Sequence, residues 1–175
     1  MTEKKKVSPK LYTSRYSNWN IRDGECVPVQ TSLGYPRFPL RYKILDRIPA
    51  ITPTRPMLKM GDRATYQHAY FEHLDKTGVE KIRSIFSAIS AKHAGLPLVL
   101  LCFEDVRVPT EWCHRRMFAQ WWEMNTGEVI EEYPVLDTDQ PKKPKAKPVN
   151  LTLDGKPAPR PNNCTMPSLF GEEVK

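Results

Sequence analysis

The sequence predicts an α/β domain, a mostly parallel sheet in a single three-layer, Rossmann-like arrangement, followed by a disordered C-terminal tail. Three observations carry this reading. Residues 96–103, Leu-Pro-Leu-Val-Leu-Leu-Cys-Phe, form a continuous apolar run between Gly95 and Glu104, the pattern of a strand covered on both faces. Apolar residues recur at helical spacing before and after that run. From Asp137 onward the composition turns to Pro, Lys, Asn and Thr, as in Gln140-Pro141-Lys142-Lys143-Pro144, which buries too little apolar surface to offset its ordering entropy.

The elements follow in order. Residues 10–16 and 26–31 read as short strands, and 32–39, with Gly34 and Pro36, as an exposed loop. A helix is predicted over 62–75, with Asp62 as N-cap and Tyr66, Tyr70 and Leu74 stacked along one side at i+4 spacing. A second helix lies within 78–95, where Val79, Ile82, Ile85, Phe86 and Ile89 share a face and Gly95 supplies the stop. After the strand at 96–103, Pro109 and Thr110 open a third helix that runs to about 125 and ends at Gly127, with Cys113, Met117, Trp121 and Met124 on one face. Residues 128–135 form a last strand. The chain thus divides into a flexible basic N-terminus over 1–9, the domain over 10–136 and a Pro/Lys-rich tail over 137–175.

Composition narrows the function. A length of 175 residues suits one domain, and no stretch approaches the ~20 apolar residues that span a bilayer. Lys4, Lys5 and Lys6 are not followed by an apolar segment, so a secretory signal is not expected and a cytoplasmic location is. The net charge of +7 splits into +3, +2 and +2 over 1–10, 11–136 and 137–175. The nearly neutral body lacks the dense basic stripe of a sequence-specific nucleic-acid reader. The 4 cysteines, Cys26, Cys102, Cys113 and Cys164, make no CxxC pair and read as free thiols.

The chemistry concentrates in Leu101-Cys102-Phe103-Glu104 and Cys113-His114-Arg115-Arg116. At a helix N-terminus, Cys113 and His114 lie where an anion is stabilised and a thiol pKa falls. Arg115 suits a phosphate or carboxylate, Glu104 acid/base work or a ribose hydroxyl, and His114 proton movement. The plainer alternative makes Cys102 and Cys113 core residues and pairs the arginines with Glu104 and Glu111. A metal is not expected: adjacent residues on a helix point about 100° apart, and the usual ligand spacing is absent. The same geometry argues against a nucleophile–base pair formed by Cys113 and His114. His68, His73 and His93 are read as solvated. A second cluster, Ser14, Tyr16, Ser32 and Arg37, carries hydroxyls, a ring and a guanidinium suited to a sugar, phosphate or base, or else simply to turns. No glycine-rich phosphate loop is present, and no nucleotide cofactor is expected.

Tyr12-Thr13-Ser14, Ser32 with Pro36-Arg37, Tyr66 and Tyr70, Leu100 to Glu104, and Cys113-His114-Arg115-Arg116 together resemble the domain of unknown function 488 family, over about residues 10–135. The resemblance implies a compact α/β domain of prokaryotes and their viruses and brings no assigned activity. In the tail, Met166-Pro167-Ser168-Leu169-Phe170 resembles the bacterial sliding-clamp binding peptide, with Met166 at the glutamine position and Leu169 and Phe170 as the anchor. The leading expectation is a small enzyme, a hydrolase or group transferase acting on a nucleotide, nucleoside or other phosphate- or ribose-bearing compound, with Cys102 and Arg115 among its binding residues. The alternative is a non-enzymatic adaptor brought to replication or repair machinery by the tail.

Overall fold

A computed structural model describes residues 8–108 and 111–135. Strands β1 (Leu11–Arg15), β2 (Val27–Gln30), β3 (Asp46–Arg47), β4 (Leu98–Cys102) and β5 (Glu131–Glu132) form a sheet in the order β3-β2-β4-β1-β5, with every pairing parallel. Three helices, α1 (Arg63–Thr77), α2 (Val79–Lys92) and α3 (His114–Thr126), complete the α/β domain. The predicted tail, with Leu169 and Phe170, lies outside the described residues, as do Pro109 and Thr110.

The topology explains the layers. From β1 the chain steps to β2 and β3 toward one edge, then returns to β4 and continues to β5 toward the other. Right-handed crossovers place connections that run in opposite directions on opposite faces. Accordingly the helical connections share one face, where Val27, Val29, Leu98 and Leu100 pack with Leu74, Phe86 and Trp122. The other face carries Val99 and Leu101 against Tyr16, Ile21, Cys26 and Tyr42, which come from the irregular connections. The outer layers are therefore helices on one side and irregular chain on the other. Because β2 leads toward one edge and β4 toward the other, their adjacent carboxyl ends mark the topological switch point, where such sheets open a crevice.

Local chemistry accounts for the helices. The Asp62 carboxylate accepts the Thr65 backbone N–H at 2.7 Å, and Tyr66, Tyr70 and Leu74 are buried on one face, as the spacing predicts. Gly78, at φ 81°, ends α1 and starts α2, a turn that a side chain would strain. On α2, Ile82, Phe86 and Ile89 are buried.

The third helix corrects the sequence reading. It starts at His114, five residues later than predicted from Pro109, with Cys113 as its extended N-cap. Its buried residues are His114, Arg115, Met117, Phe118, Ala119, Trp121 and Trp122, whereas Met124 is 69% exposed. The burial follows the 114/118/122 line as well as 117/121, because α3 is wedged between the sheet, α1 and α2. Two further differences concern strands. The pair Asp46–Arg47 forms a strand although two polar residues carry no apolar signal; the last strand contracts to Glu131–Glu132. No described helix is long and apolar enough to cross a membrane.

Candidate functional site at the β4–α3 corner

Parallel register sorts the residues near the strand ends. Paired residues point the same way and neighbours along a strand point opposite ways. Arg15 pairs with Cys102, two residues beyond the helix-facing Leu100, so Cys102 and then Glu104 continue on the helical side. Ser14 pairs with Leu101 and belongs to the other face, as do Tyr16, Ser32 and Phe103. The two sequence clusters thus lie largely on opposite sides of the sheet, although Ser14 and Arg115 line a common cavity of about 90 Å³ at its edge.

On the helical side, four reactive side chains meet. Cys102 Sγ lies 2.9 Å from Glu104 Oε2 and 3.4 Å from His114 Nδ1, and Cys113 Sγ lies 3.8 Å from the same nitrogen. His114 Nε2 is 2.9 Å from the Thr31 carbonyl oxygen. A carbonyl only accepts, so the proton sits on Nε2 and the Nδ1 lone pair faces the two sulfurs. Thr31 is anchored in turn: its hydroxyl donates to the Leu101 carbonyl at 2.9 Å, which ties the end of β2 to β4. Tyr70 steadies the imidazole from behind with an edge-to-face ring contact at 5.7 Å, and its own hydroxyl donates to the Ile51 carbonyl at 2.6 Å.

The sequence argument that Cys113 and His114 diverge fails for a local reason. Cys113 has φ −144° and ψ 141°, so it is extended chain entering the helix, and the 100° helical step does not apply between it and His114. Burial pushes the Cys102 thiol well up, helped by the neighbouring Cys113 sulfur. Burial also opposes ionisation of Cys113, but the Cys102 hydrogen bond, the contact with the neighbouring His114 imidazole and the nearby Arg115 charge outweigh it and hold this thiol well below the usual range. Glu104 is shifted upward, first by burial and then by the Cys113 charge.

Two cavities open beside this corner. One, of about 300 Å³, exposes Glu104, Cys113 and His114 beneath a wall that includes Met57, Tyr66 and Trp112. The other, of about 530 Å³, shares Glu111, Trp112 and Cys113 with it and adds Arg63 and Arg116. Tyr66 and Trp112 meet edge to face at 4.9 Å.

The remaining predicted residues have other settings. Arg115 is buried, donating from Nη1 to the Glu104 carbonyl oxygen at 2.7 Å and from Nε to Glu132 at 3.2 Å. It ties Glu104 to β5 and does not line either cavity. Ser14 accepts from Asn18 at 2.9 Å; Tyr16 and Ser32 hydroxyls meet at 2.8 Å, and Ser32 donates to the Gly34 carbonyl at 2.7 Å. Arg37 is exposed in its loop. Arg15 pairs with Asp105, which also accepts from Arg107 at 2.7 Å. Sequence reasoning missed the cavity walls, Met57, Tyr66, Trp112, Arg63 and Arg116. Of these, Tyr66 and Arg116, both among the motif residues of the family resemblance, carry a signal that points to the site.

Comparison with protein-family models, curated proteins and solved structures returns no match, so function is read from the geometry.

Proposed function

We propose that this chain is a small enzyme, a hydrolase or group transferase that acts on a nucleotide, nucleoside or related phosphate- or ribose-bearing compound at the β4–α3 corner. Membership of the domain of unknown function 488 family belongs to the same proposal. The observation that carries it is the convergence of Cys102, Glu104, Cys113 and His114 at the sheet's switch point, beside cavities with an aromatic wall and two guanidinium groups. A planar base or sugar face suits Tyr66 and Trp112, and an anionic group suits Arg63 and Arg116 close to the α3 N-terminus. Glu104, on the cavity wall, accepts the proton of the attacking water or hydroxyl and returns it to the leaving group. Cys113 supplies an anionic sulfur at the same wall. Arg115 acts as a positioning residue, holding the backbone of Glu104.

The test is a thermal-shift screen of the purified chain against nucleotides, nucleosides and sugar phosphates, with Arg116→Ala beside wild type. A ligand at a hundred times its dissociation constant adds about 2.7 kcal/mol of stability. A shift with a phosphate-bearing ligand that shrinks in Arg116→Ala is the expected result; a shift unaffected by Arg116→Ala and by Trp112→Ala would move the site elsewhere.

A further inference from the structure

We infer that Cys102, Cys113 and His114 form a three-ligand site for zinc, with its fourth position on the Glu104 side facing the cavity. The inference adds a metal to the pocket proposed above and rests on that reading for its role, although metal binding is measured separately from ligand binding.

Among the described residues, Cys102 Sγ, Cys113 Sγ and His114 Nδ1 all lie within 4.8 Å of one another. Tetrahedral zinc, with sulfur at ~2.3 Å and imidazole nitrogen at ~2.0–2.1 Å, separates a sulfur and a nitrogen ligand by about 3.6 Å. The two sulfurs stand 3.4 and 3.8 Å from Nδ1, either side of that value. The two sulfurs, within 4.8 Å of each other, close by at most about 1 Å to reach the about 3.8 Å between two tetrahedral thiolates.

The surroundings suit it as well. A metal-binding imidazole needs one nitrogen free of its proton and the other donating to a fixed acceptor, and the Nε2–H donating to the Thr31 carbonyl supplies this. With only one Nδ1 lone pair, a single thiol proton can be accepted there, whereas a metal ion satisfies both sulfurs and the nitrogen together. Two thiolates and one neutral imidazole cancel the dication's charge, which favours a site whose three ligand residues are buried. Soft sulfur donors select zinc over magnesium or calcium. Binding displaces the one remaining thiol proton, that of Cys102, to solvent.

Glu104 decides the fourth position. Its Oε2 lies 2.9 Å from Cys102 Sγ, shorter than the about 3.6 Å expected between two tetrahedral ligands. It must retreat by about 0.7 Å to coordinate. Its place on the cavity wall gives it that freedom, and a further swing away from the ion leaves the position to an incoming ligand. The ligands come from the end of β4 and the N-cap of α3 with ten residues between the cysteines, so no familiar spacing announces them.

The test uses the full chain, reduced, stripped with a chelator and titrated with cobalt(II). Intense visible bands and a near-ultraviolet thiolate-to-cobalt charge transfer are expected, saturating at one ion per chain and abolished by added zinc. Cys102→Ser and Cys113→Ser each lose most of the charge-transfer intensity, while Cys26→Ser, on the other face of the sheet, retains it. Glu104→Gln keeps the band as well. Circular dichroism checks folding, and should a ligand variant not fold, the wild-type spectrum and its zinc competition still decide. Folded wild-type protein without the charge-transfer band overturns the inference, as does a band that persists in both Cys102→Ser and Cys113→Ser. Repeating the nucleotide screen in chelator separates the two readings. Stabilisation by a ligand without metal binding removes only the metal; metal binding without any stabilising ligand removes only the enzymatic reading.

Discussion

Replacing Arg115 by Ala removes a guanidinium that joins three parts of the molecule: α3, the Glu104 backbone and β5. The Nη1 bond to the Glu104 carbonyl at 2.7 Å is a hydrogen bond from a charged donor, a class that contributes about 1.5–3 kcal/mol. The ion pair with Glu132 adds less, because that carboxylate stays 31% exposed and regains water when the arginine is gone, so about 0.5–1 kcal/mol is appropriate. The expected loss is therefore about 2–4 kcal/mol, or a fall in Tm on the order of 10 °C for a domain of this size. Urea and thermal unfolding followed by circular dichroism measure it, with Glu132→Gln and the double variant completing a cycle whose coupling is about 0.5–1 kcal/mol. A loss below about 0.5 kcal/mol, accompanied by abolished ligand binding, would refute the positioning role and return Arg115 to the anion-binding task that its sequence context suggests.

Three other substitutions probe the frame of the site. Tyr70→Phe deletes the buried hydroxyl that donates to the Ile51 carbonyl and costs about 1–2 kcal/mol in chemical unfolding; an unchanged midpoint would mean that the carbonyl finds another donor. Gly127→Ala, at φ 73° with open space around it, costs about 1 kcal/mol by backbone strain alone at the α3 C-terminus, and a stabilising effect would contradict the left-handed cap. Asp105 is held below the ordinary carboxylate range by hydrogen bonds from Arg107, against some desolvation, and by the Arg15 charge. Its folded pKa is depressed, so its stabilisation is present above the unfolded value of about 3.9 and is lost as pH falls through the folded value. Asp105→Asn should lower stability at pH 7 and flatten the acid limb below about pH 4 in thermal melts; an identical acid slope in both proteins would contradict this.

Much of the frame is legible in residue patterns. Asp62 caps the helix whose Tyr66, Tyr70 and Leu74 line up, and the apolar run ending in Cys102 is the central strand. These features are local, governed by capping chemistry and by side-chain period. What stays hidden depends on register. A strand apolar at every position does not disclose which residues face the helices, so the division that puts Cys102 and Glu104 on one side and Ser14, Tyr16 and Ser32 on the other emerges only from the β1–β4 pairing. The cysteine–histidine cluster was visible as residue types, but its geometry turns on the extended conformation of Cys113, which a helix starting at Pro109 would have excluded. Met57, on the cavity wall, lies in an irregular segment with no period to read.

The central claim is that ligand chemistry happens at the β4–α3 corner and not across the sheet. Amide and indole chemical-shift mapping of the full chain with the most stabilising nucleotide or sugar phosphate tests it most directly. The account predicts the largest shifts at Glu104, Trp112, Cys113, His114 and Arg116, with Ser14, Tyr16 and Ser32 unmoved. Shifts centred on Tyr16, Ser32 and Arg37, with the Trp112 indole unchanged, would contradict it.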